Sequence, residues 1–482
     1  METTSLRRAK AWQTAAYLIA VLLLLGTAVT LIFTNLENQV IMAFDEGRHG
    51  VSGYEMIRNQ DYLVHTYQGE PDMWNLKPPL SFWLIAFNFK LFGYHCVAFR
   101  LHNVIASLLV LLAVTLWTKK HYGMTASLLA LLFLVVNPAV YGLNFARTGE
   151  ADALHTLFVT LAMLCMLDSR RDLRLLYGSA LGFGLSFMSK SYHAAIIPLI
   201  CLVYLTVTGQ LRRLRLKNYL LLLFWGLLPI FPWAVARFSR DGFAFLGGMF
   251  TTDVQARMAA EVSGAEAQWN FYLLHLKNNP VVIASVAACG ASLLWQVLQR
   301  RKLTDVQKGL ALWAACPVAL YSLSNAKLYH YIVPVMVPLS LAGALAAWSL
   351  LRQLRPRSLK LIFCCLLVAG AAWQTSQNLT TVLTRDDKGS MQATLAEALD
   401  RETDSGRPVY IQYSSGQTEW MQNDMLRALL SGDVLCRNGG MEAFEEEWES
   451  ALLVIDKENM DYTFLEMYPV YYETGYQFIL EN

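Results

Sequence analysis

The sequence predicts an all-α polytopic membrane bundle, with juxtamembrane helices and a small α/β module at its C-terminal end. Three observations lead there. Of the 482 residues, 55% are hydrophobic and 16% charged, against about 25% charged in a soluble domain, and mean hydropathy is +0.34. About eleven apolar stretches approach the length that crosses a bilayer as a helix. Alternate connections between them are basic, the pattern of loops retained on the cytoplasmic face.

The spans fall at 13–33, 97–117, 125–143, 152–168, 174–189, 192–208, 217–236, 272–298, 308–324, 330–350 and 359–377. Arg7, Arg8 and Lys10 flank the first. Its long apolar run ends in no small-residue cleavage site, so it reads as a retained span. With the N-terminus in the cytoplasm, the inside connections are Lys119-Lys120, Arg170 to Arg174, Arg212 to Lys217, Arg300-Arg301-Lys302 and Arg352 to Lys360. One span missed or added would break this alternation, so an odd number places the C-terminus outside.

Two outer connections are long. Within 34–96, Asp45 to Arg58 reads as a short amphipathic helix. Pro78-Pro79 then opens an apolar stretch ending at Phe92-Gly93, too short to span and expected at the interface. Within 237–271, Phe243 to Phe250 is expected to be interfacial too. The chain divides into a membrane domain, 1–378, and an outer module, 385–482, rich in acids such as Glu445-Glu446-Glu447. In that module Val409 to Tyr413 and Leu452 to Ile455 read as strands, and Met421 to Leu430 and Met441 to Trp448 as helices.

A net charge of +2 implies no nucleic-acid partner. The eight cysteines lack metal-site spacing; Cys96 and Cys436 lie near outer segments, where a disulfide is open but not indicated. The aromatic residues (13 Trp, 22 Tyr, 23 Phe) suit interfacial belts and a packed bundle. Tyr462, Tyr468, Tyr471, Tyr472 and Tyr476 suit either sugar stacking or a module core, and the core is the commoner use.

Chemistry gathers on the outer side. In Asp45-Glu46-Gly47-Arg48, a carboxylate at the membrane surface can take a proton from an attacking hydroxyl or amine. The plainer reading is a helix start, with Asp45 as cap and Glu46 against the dipole. In Leu76-Lys77-Pro78-Pro79, a lysine beside a helix N-terminus suits a phosphate, or simply snorkels. Arg147-Thr148-Gly149-Glu150-Ala151-Asp152 places two acids at the start of a span, where ionised groups are paired or functional; Arg147 is the plain partner. Ser189-Lys190-Ser191-Tyr192-His193 and Lys327-Leu328-Tyr329-His330-Tyr331 add lysines, which bind phosphate as point charges. Their histidines suit acid–base work, metal ligation or a structural role. Arg100, just inside the second span, is placed to reach outward.

Taken in order, Asp45-Glu46-x-Arg48, Lys77-Pro78-Pro79-Leu80, Arg100-Leu101, Arg147 to Asp152, Ser189-Lys190, Pro232-Trp233 and Ser324-Asn325-Ala326-Lys327-Leu328 resemble the bacterial membrane glycosyltransferases of the GT-C class, in particular their ArnT-like and protein mannosyltransferase-like members. The resemblance covers about residues 10–350. It implies an inner-membrane enzyme that moves a sugar from a polyprenyl-phosphate donor to a glycolipid such as lipid A, a protein hydroxyl or an envelope glycan. By that resemblance Asp45 is the base or acceptor-positioning group, Asp152 the second acidic site with Glu150 beside it, and Arg48 and Lys77 meet the lipid phosphate. Glu46, Arg100, Arg147, Lys190, Lys327 and His330 complete the expected substrate-binding set. No cofactor is implied beyond a divalent cation used by some related enzymes. Aminoarabinose-type members carry Glu before Lys-Pro-Pro, where this chain has Leu76. A lipid transporter or flippase is the competing class, since intramembrane charges occur there too.

Overall fold

The computed structural model describes residues 2–142, 144–251, 268–325, 327–385, 389–459 and 462–482, with side chains from Lys10 onward. The basic flank Arg7-Arg8, part of the second outer connection and Ala326 therefore fall outside what can be described side chain by side chain.

Helices stand at every predicted span: Glu2–Phe33, Cys96–Tyr122, Met124–Val135, Asp152–Asp168, Leu175–Lys190, Ile196–Val207, Leu216–Leu227 followed by Ile230–Asp241, Pro280–Leu298, Asp305–Ser322, Met336–Gln353 and Arg357–Leu383. Among the described residues, six helices are long and apolar enough to cross a membrane on length and composition alone. The bent pair Leu216–Leu227 and Ile230–Asp241 makes a seventh. That total is lower than the expected eleven for local reasons. Leu175 to Val207 counts as one apolar stretch interrupted by the 3-10 turn Ser191–Ala195. Met124–Val135 has 12 residues, and Asp305–Ser322 starts on Asp305 and Lys308. The 53° bend falls at Pro229, whose ring removes a donor from the helical ladder.

The first outer connection is ordered. Asp45–Arg58 is helical, as is Leu80–Phe92, which begins behind Pro78-Pro79 and stops at Gly93, where φ is 92°. Gly47 and Gly50 share one helix face. A Cβ on Gly47 would stand 2.6 Å from the Asn423 nitrogen, and one on Gly50 would overlap the Leu426 side chain. This bare face is where the C-terminal module sits.

The module is a five-stranded mixed sheet in the order Leu435–Cys436, Pro408–Gln412, Leu452–Asp456, Gln477–Glu481, Val470–Glu473. The first three strands are parallel and the last two antiparallel. The helices Met391–Ala398, Gln422–Gly432 and Gly440–Glu445 accompany it. Its core continues into the first outer connection and the start of the helix Cys96–Tyr122. Ile41, Val51, Tyr54, Phe89 and Phe99 pack with Leu395, Val409, Trp420 and Leu426. Gln392 pairs with the Ile41 backbone, accepting from its N–H at 2.8 Å and donating to its carbonyl at 2.9 Å. By contrast the helix Arg357–Leu383, which leads into the module, is scarcely packed: 6% of its apolar window is buried. All eight cysteines are free thiols, so Cys96 and Cys436 are not bridged. Among the five tyrosines, Tyr468 packs on Phe444, Tyr471 and Tyr472 donate to Asp404 and Glu397, and Tyr462 and Tyr476 are exposed.

Candidate active site

Asp45 is the first residue of its helix. Phe44 before it is 65% exposed and sits at φ 62°, a strained backbone for a bulky residue. No side chain caps this helix end. The Asp45 carboxylate faces the Lys77 ammonium at 3.2 Å instead. Burial alone would raise the Asp45 carboxyl. Lys77 above all, with His49, His330 and Lys190, outweighs it and holds Asp45 well below the usual carboxylate range.

Lys77 is placed by a turn. Asp72 accepts from the Trp74 and Asn75 N–H groups at 2.9 and 3.0 Å, and the Lys77 N–H donates to the Asn75 carbonyl at 2.7 Å. Asp72 is gripped by Arg48 through two bonds of 2.7 and 2.9 Å. The guanidinium lies 4.0 Å from the Tyr67 ring centre and 4.9 Å from that of Trp74. Burial would raise Asp72, but Arg48 outweighs it and keeps the carboxyl low. Arg48 is thus committed to building the Lys77 turn rather than left open to a phosphate. His49, fully buried, has its pKa lowered to about 3 by burial and then by Lys77, so it stays neutral.

A second ion pair joins Lys190 to Asp152, with side chains 5% and 4% exposed. The Lys190 ammonium also stands 5.7 Å from the Tyr331 ring. Ser191, just after it, adopts φ 54° where the helix breaks. His330 is half-buried, edge-on to Tyr331 at 4.9 Å. Glu150 accepts from the Asn144 amide, whose oxygen accepts from the Tyr329 hydroxyl at 2.5 Å. Burial first, and then Asp152, Asp45 and Glu46, pushes Glu150 well above the usual range, favouring its protonated form.

Six expected residues therefore share one electrostatic environment: Asp45, Lys77, Glu150, Asp152, Lys190 and His330. Three others belong to the scaffold beneath, contrary to expectation. Glu46 is 0% exposed and pairs with Arg100 at 2.9 Å, while also accepting from the Gly149 and Met42 N–H groups. Arg100 spends its remaining donors on the Leu36, Gln39 and Val40 carbonyls. Arg147 meets neither acid. It bonds Gln39 and the Leu31, Ile32 and Thr34 carbonyls, closing the C-terminal end of the first helix, where bare carbonyls favour a cation. These arginines lie deep because the carbonyls at and just after the end of the first helix lack helical partners and take donors from them. Lys327 is half-buried beside Ala326. Leu76, noted above as a departure from the resemblance, is buried against Met188, Trp233, Phe245 and Met249 in an apolar wall. The supporting residues Asp72, Tyr67 and Asn144 carried no sequence signal, since each acts through a contact made only on folding.

A family model described as dolichyl-phosphate-mannose-protein mannosyltransferase matches residues 76–235. The undecaprenyl phosphate-alpha-4-amino-4-deoxy-L-arabinose arabinosyl transferase of Pseudomonas aeruginosa is 29% identical over 329 residues, covering 66% of this chain and 57% of that protein. The protein of the same name from Aeromonas hydrophila is 26% identical over 382 residues, covering 74% and 66%. The chain thus spans less than two thirds of the length of these relatives. ArnT from Cupriavidus metallidurans bound to undecaprenyl phosphate superimposes at a TM-score of 0.70 with 17% identity, over 96% of this chain and 97% of that one. The chain is thus similar in sequence to these arabinosyl transferases and shares the fold of ArnT. An archaeal oligosaccharyltransferase from Archaeoglobus fulgidus shares the fold more distantly, at a TM-score of 0.52 and 12% identity over 92% and 70% of the two chains. In this chain the stretch matched by the family model holds Lys77, Glu150, Asp152 and Lys190, while Asp45 lies upstream of it.

A divalent cation does not fit the residues present. Among the described residues no group of three or more His, Cys, Asp or Glu is placed to hold one. Asp45 and Asp152 already face lysines.

Proposed function

We propose that this chain is a polyprenyl-phosphate-sugar-dependent glycosyltransferase of the bacterial inner membrane, with Asp45, Lys77 and the Asp152–Lys190 pair as its working groups. One observation carries the reading: two carboxylate–lysine pairs and a protonation-prone glutamic acid meet at one end of an apolar bundle. The names of the relatives, and the lipid bound in the Cupriavidus structure, agree with it.

The donor's tail lies in the bilayer, which accounts for an embedded site. An acceptor hydroxyl or amine attacks the anomeric carbon as the bond from that carbon to the phosphate oxygen breaks. The bonding pair leaves with the polyprenyl phosphate, and the acceptor's proton passes to the Asp45 carboxylate. The anomeric centre inverts. Before the donor arrives, Lys77 is held by Asp45; the phosphate draws Lys77 to itself and frees Asp45 for the acceptor. Charge growing on the leaving phosphate is met by Lys77, with Lys190 and Lys327 in reserve. Asp152 holds Lys190, and Glu150, favoured in its neutral form, can donate a hydrogen bond to the sugar. The acceptor is a glycolipid, protein hydroxyl or envelope glycan on the extracytoplasmic side, to which the C-terminal module also belongs. The apolar Leu76 wall argues for a sugar other than one recognised by a carboxylate there.

The test is turnover in proteoliposomes loaded with polyprenyl-phosphate sugars and envelope extracts. Appearance of free polyprenyl phosphate with acceptor glycosylation supports the proposal. Movement of intact donor between leaflets without either product would make the chain a transporter.

A further inference from the structure

A cavity lies at the end of the bundle away from the Asp45–Lys77 pair. The helices Pro280–Leu298 and Asp305–Ser322 are joined by the short connection 299–304. Both pack against Met336–Gln353 but splay away from each other. At the back of the wedge the backbones nearly touch: a Cβ on Gly343 would overlap Ser285. Between the helices is a cavity of about 640 Å³, within the range of ligand-sized pockets. Leu293, Ala342 and Trp348 give it apolar walls, and Arg301 and Lys302 stand on its rim. The helix Met336–Gln353 begins beside the His330 turn and runs 18 residues. The rim near Trp348 is therefore roughly 25 Å along the axis from the catalytic groups.

The charges at this end are unevenly used. Arg170 and Lys308 both pair with Asp305. Among the described residues Arg301 and Lys302 have no acidic partner, and no carboxylate lines the cavity. Without a base or acid this space is unsuited to proton transfer, so it is a binding site and not a second reaction centre. A wedge with apolar walls and two free cations at its mouth matches a lipid with a phosphate head, as basic pockets between membrane helices do elsewhere. Two acyl chains fill the splay of the hairpin, and the head group reaches the connection 299–304.

We propose that this wedge is a structural site for an anionic glycerophospholipid, distinct from the donor site around Lys77. The test is native mass spectrometry of the full chain in detergent, after delipidation and addition of phosphatidylglycerol, phosphatidylcholine or undecaprenyl phosphate. The wild type is expected to retain one phosphatidylglycerol in preference to phosphatidylcholine. R301A/K302A should weaken that retention about thirty-fold, from two surface cations at about a factor of five each. Ala342→Trp, which fills the wedge and leaves the rim intact, should abolish it while the catalytic end still releases polyprenyl phosphate. Equal retention of the two phospholipids overturns the proposal. So does retention lost in R301A/K302A but unaffected by Ala342→Trp, which marks a contact with the loop alone. Displacement of phosphatidylglycerol by undecaprenyl phosphate refutes the choice of occupant. Size-exclusion and thermal profiles of both variants show whether they fold, and R301K/K302R, which keeps the charge, should behave as wild type.

Discussion

Asp45 and Glu46 are neighbouring carboxylates whose removal should have opposite consequences. Glu46 Oε1 accepts from both Arg100 and the Gly149 N–H at 2.9 Å, and Oε2 accepts from the Met42 N–H at 2.8 Å. In Glu46→Gln one of those oxygens becomes an NH₂ group and faces a donor. The charge opposite Arg100, whose side chain is 0% exposed, disappears as well. Breaking a buried pair in this way costs about 3–5 kcal/mol. Asp45 pairs with Lys77 across 3.2 Å with its own side chain 31% exposed, so Asp45→Asn should cost no more than about 1 kcal/mol of stability. Loss of the proton acceptor should instead lower turnover about 10²–10⁴-fold. Denaturant titration in detergent reads the first quantity, and release of polyprenyl phosphate from labelled donor reads the second. Glu46→Gln within 1 kcal/mol of wild type, or Asp45→Asn retaining more than a tenth of wild-type turnover, would show that the roles have been assigned wrongly.

Other consequences follow from the same contacts. Arg147→Met should strip the Leu31, Ile32 and Thr34 carbonyls of their donor and cost about 3 kcal/mol or more, seen as a lower unfolding midpoint with Lys77 chemistry otherwise intact. Gly50→Ala places a methyl against Leu426 and should destabilise by about 1–3 kcal/mol; G50A/L426A should recover most of that loss, and a double variant no better than G50A would count against direct docking. Asp424, buried beneath the Tyr413 hydroxyl at 2.9 Å, has its pKa pushed up to about 6 by burial. The folded module therefore holds this proton where the unfolded chain has lost it, and its stability should fall as pH rises from about 4 to about 6, then level off. Hydrogen exchange across Gln422–Gly432 should report that fall in wild type and a flatter profile in Asp424→Asn.

Much of the architecture was legible because membrane physics leaves strong marks. Apolar length located a helix at each expected span, and Asp45–Arg58 was readable from its amphipathic pattern. The short strand Gln477–Glu481 and the helix Met391–Ala398 were not foreseen, because elements this short carry little periodicity. At the site, the residue types were readable but their division of labour was not. Glu46 and Arg147 look as chemical as Asp45 in sequence, and only burial separates them: both are fully enclosed and bonded to the scaffold, whereas Asp45 keeps a partly open face. Arg48 was expected at the phosphate, but its partner Asp72 lies 24 residues away and no local pattern announces the pair.

The core shared by the first outer connection and the C-terminal module has a consequence for biosynthesis. Ile41 and Val51 leave the ribosome several hundred residues ahead of Val409 and Leu426, yet they pack together. The Asp45 helix cannot reach its final seat until the helix and strands it packs against have been made. Contacts so remote in sequence form late. A nascent chain that has not yet reached Val409 would hold Asp45, Lys77, Asp152 and Lys190 and still lack the surface on which the Asp45 helix packs, so completion of the module precedes the seating of that helix.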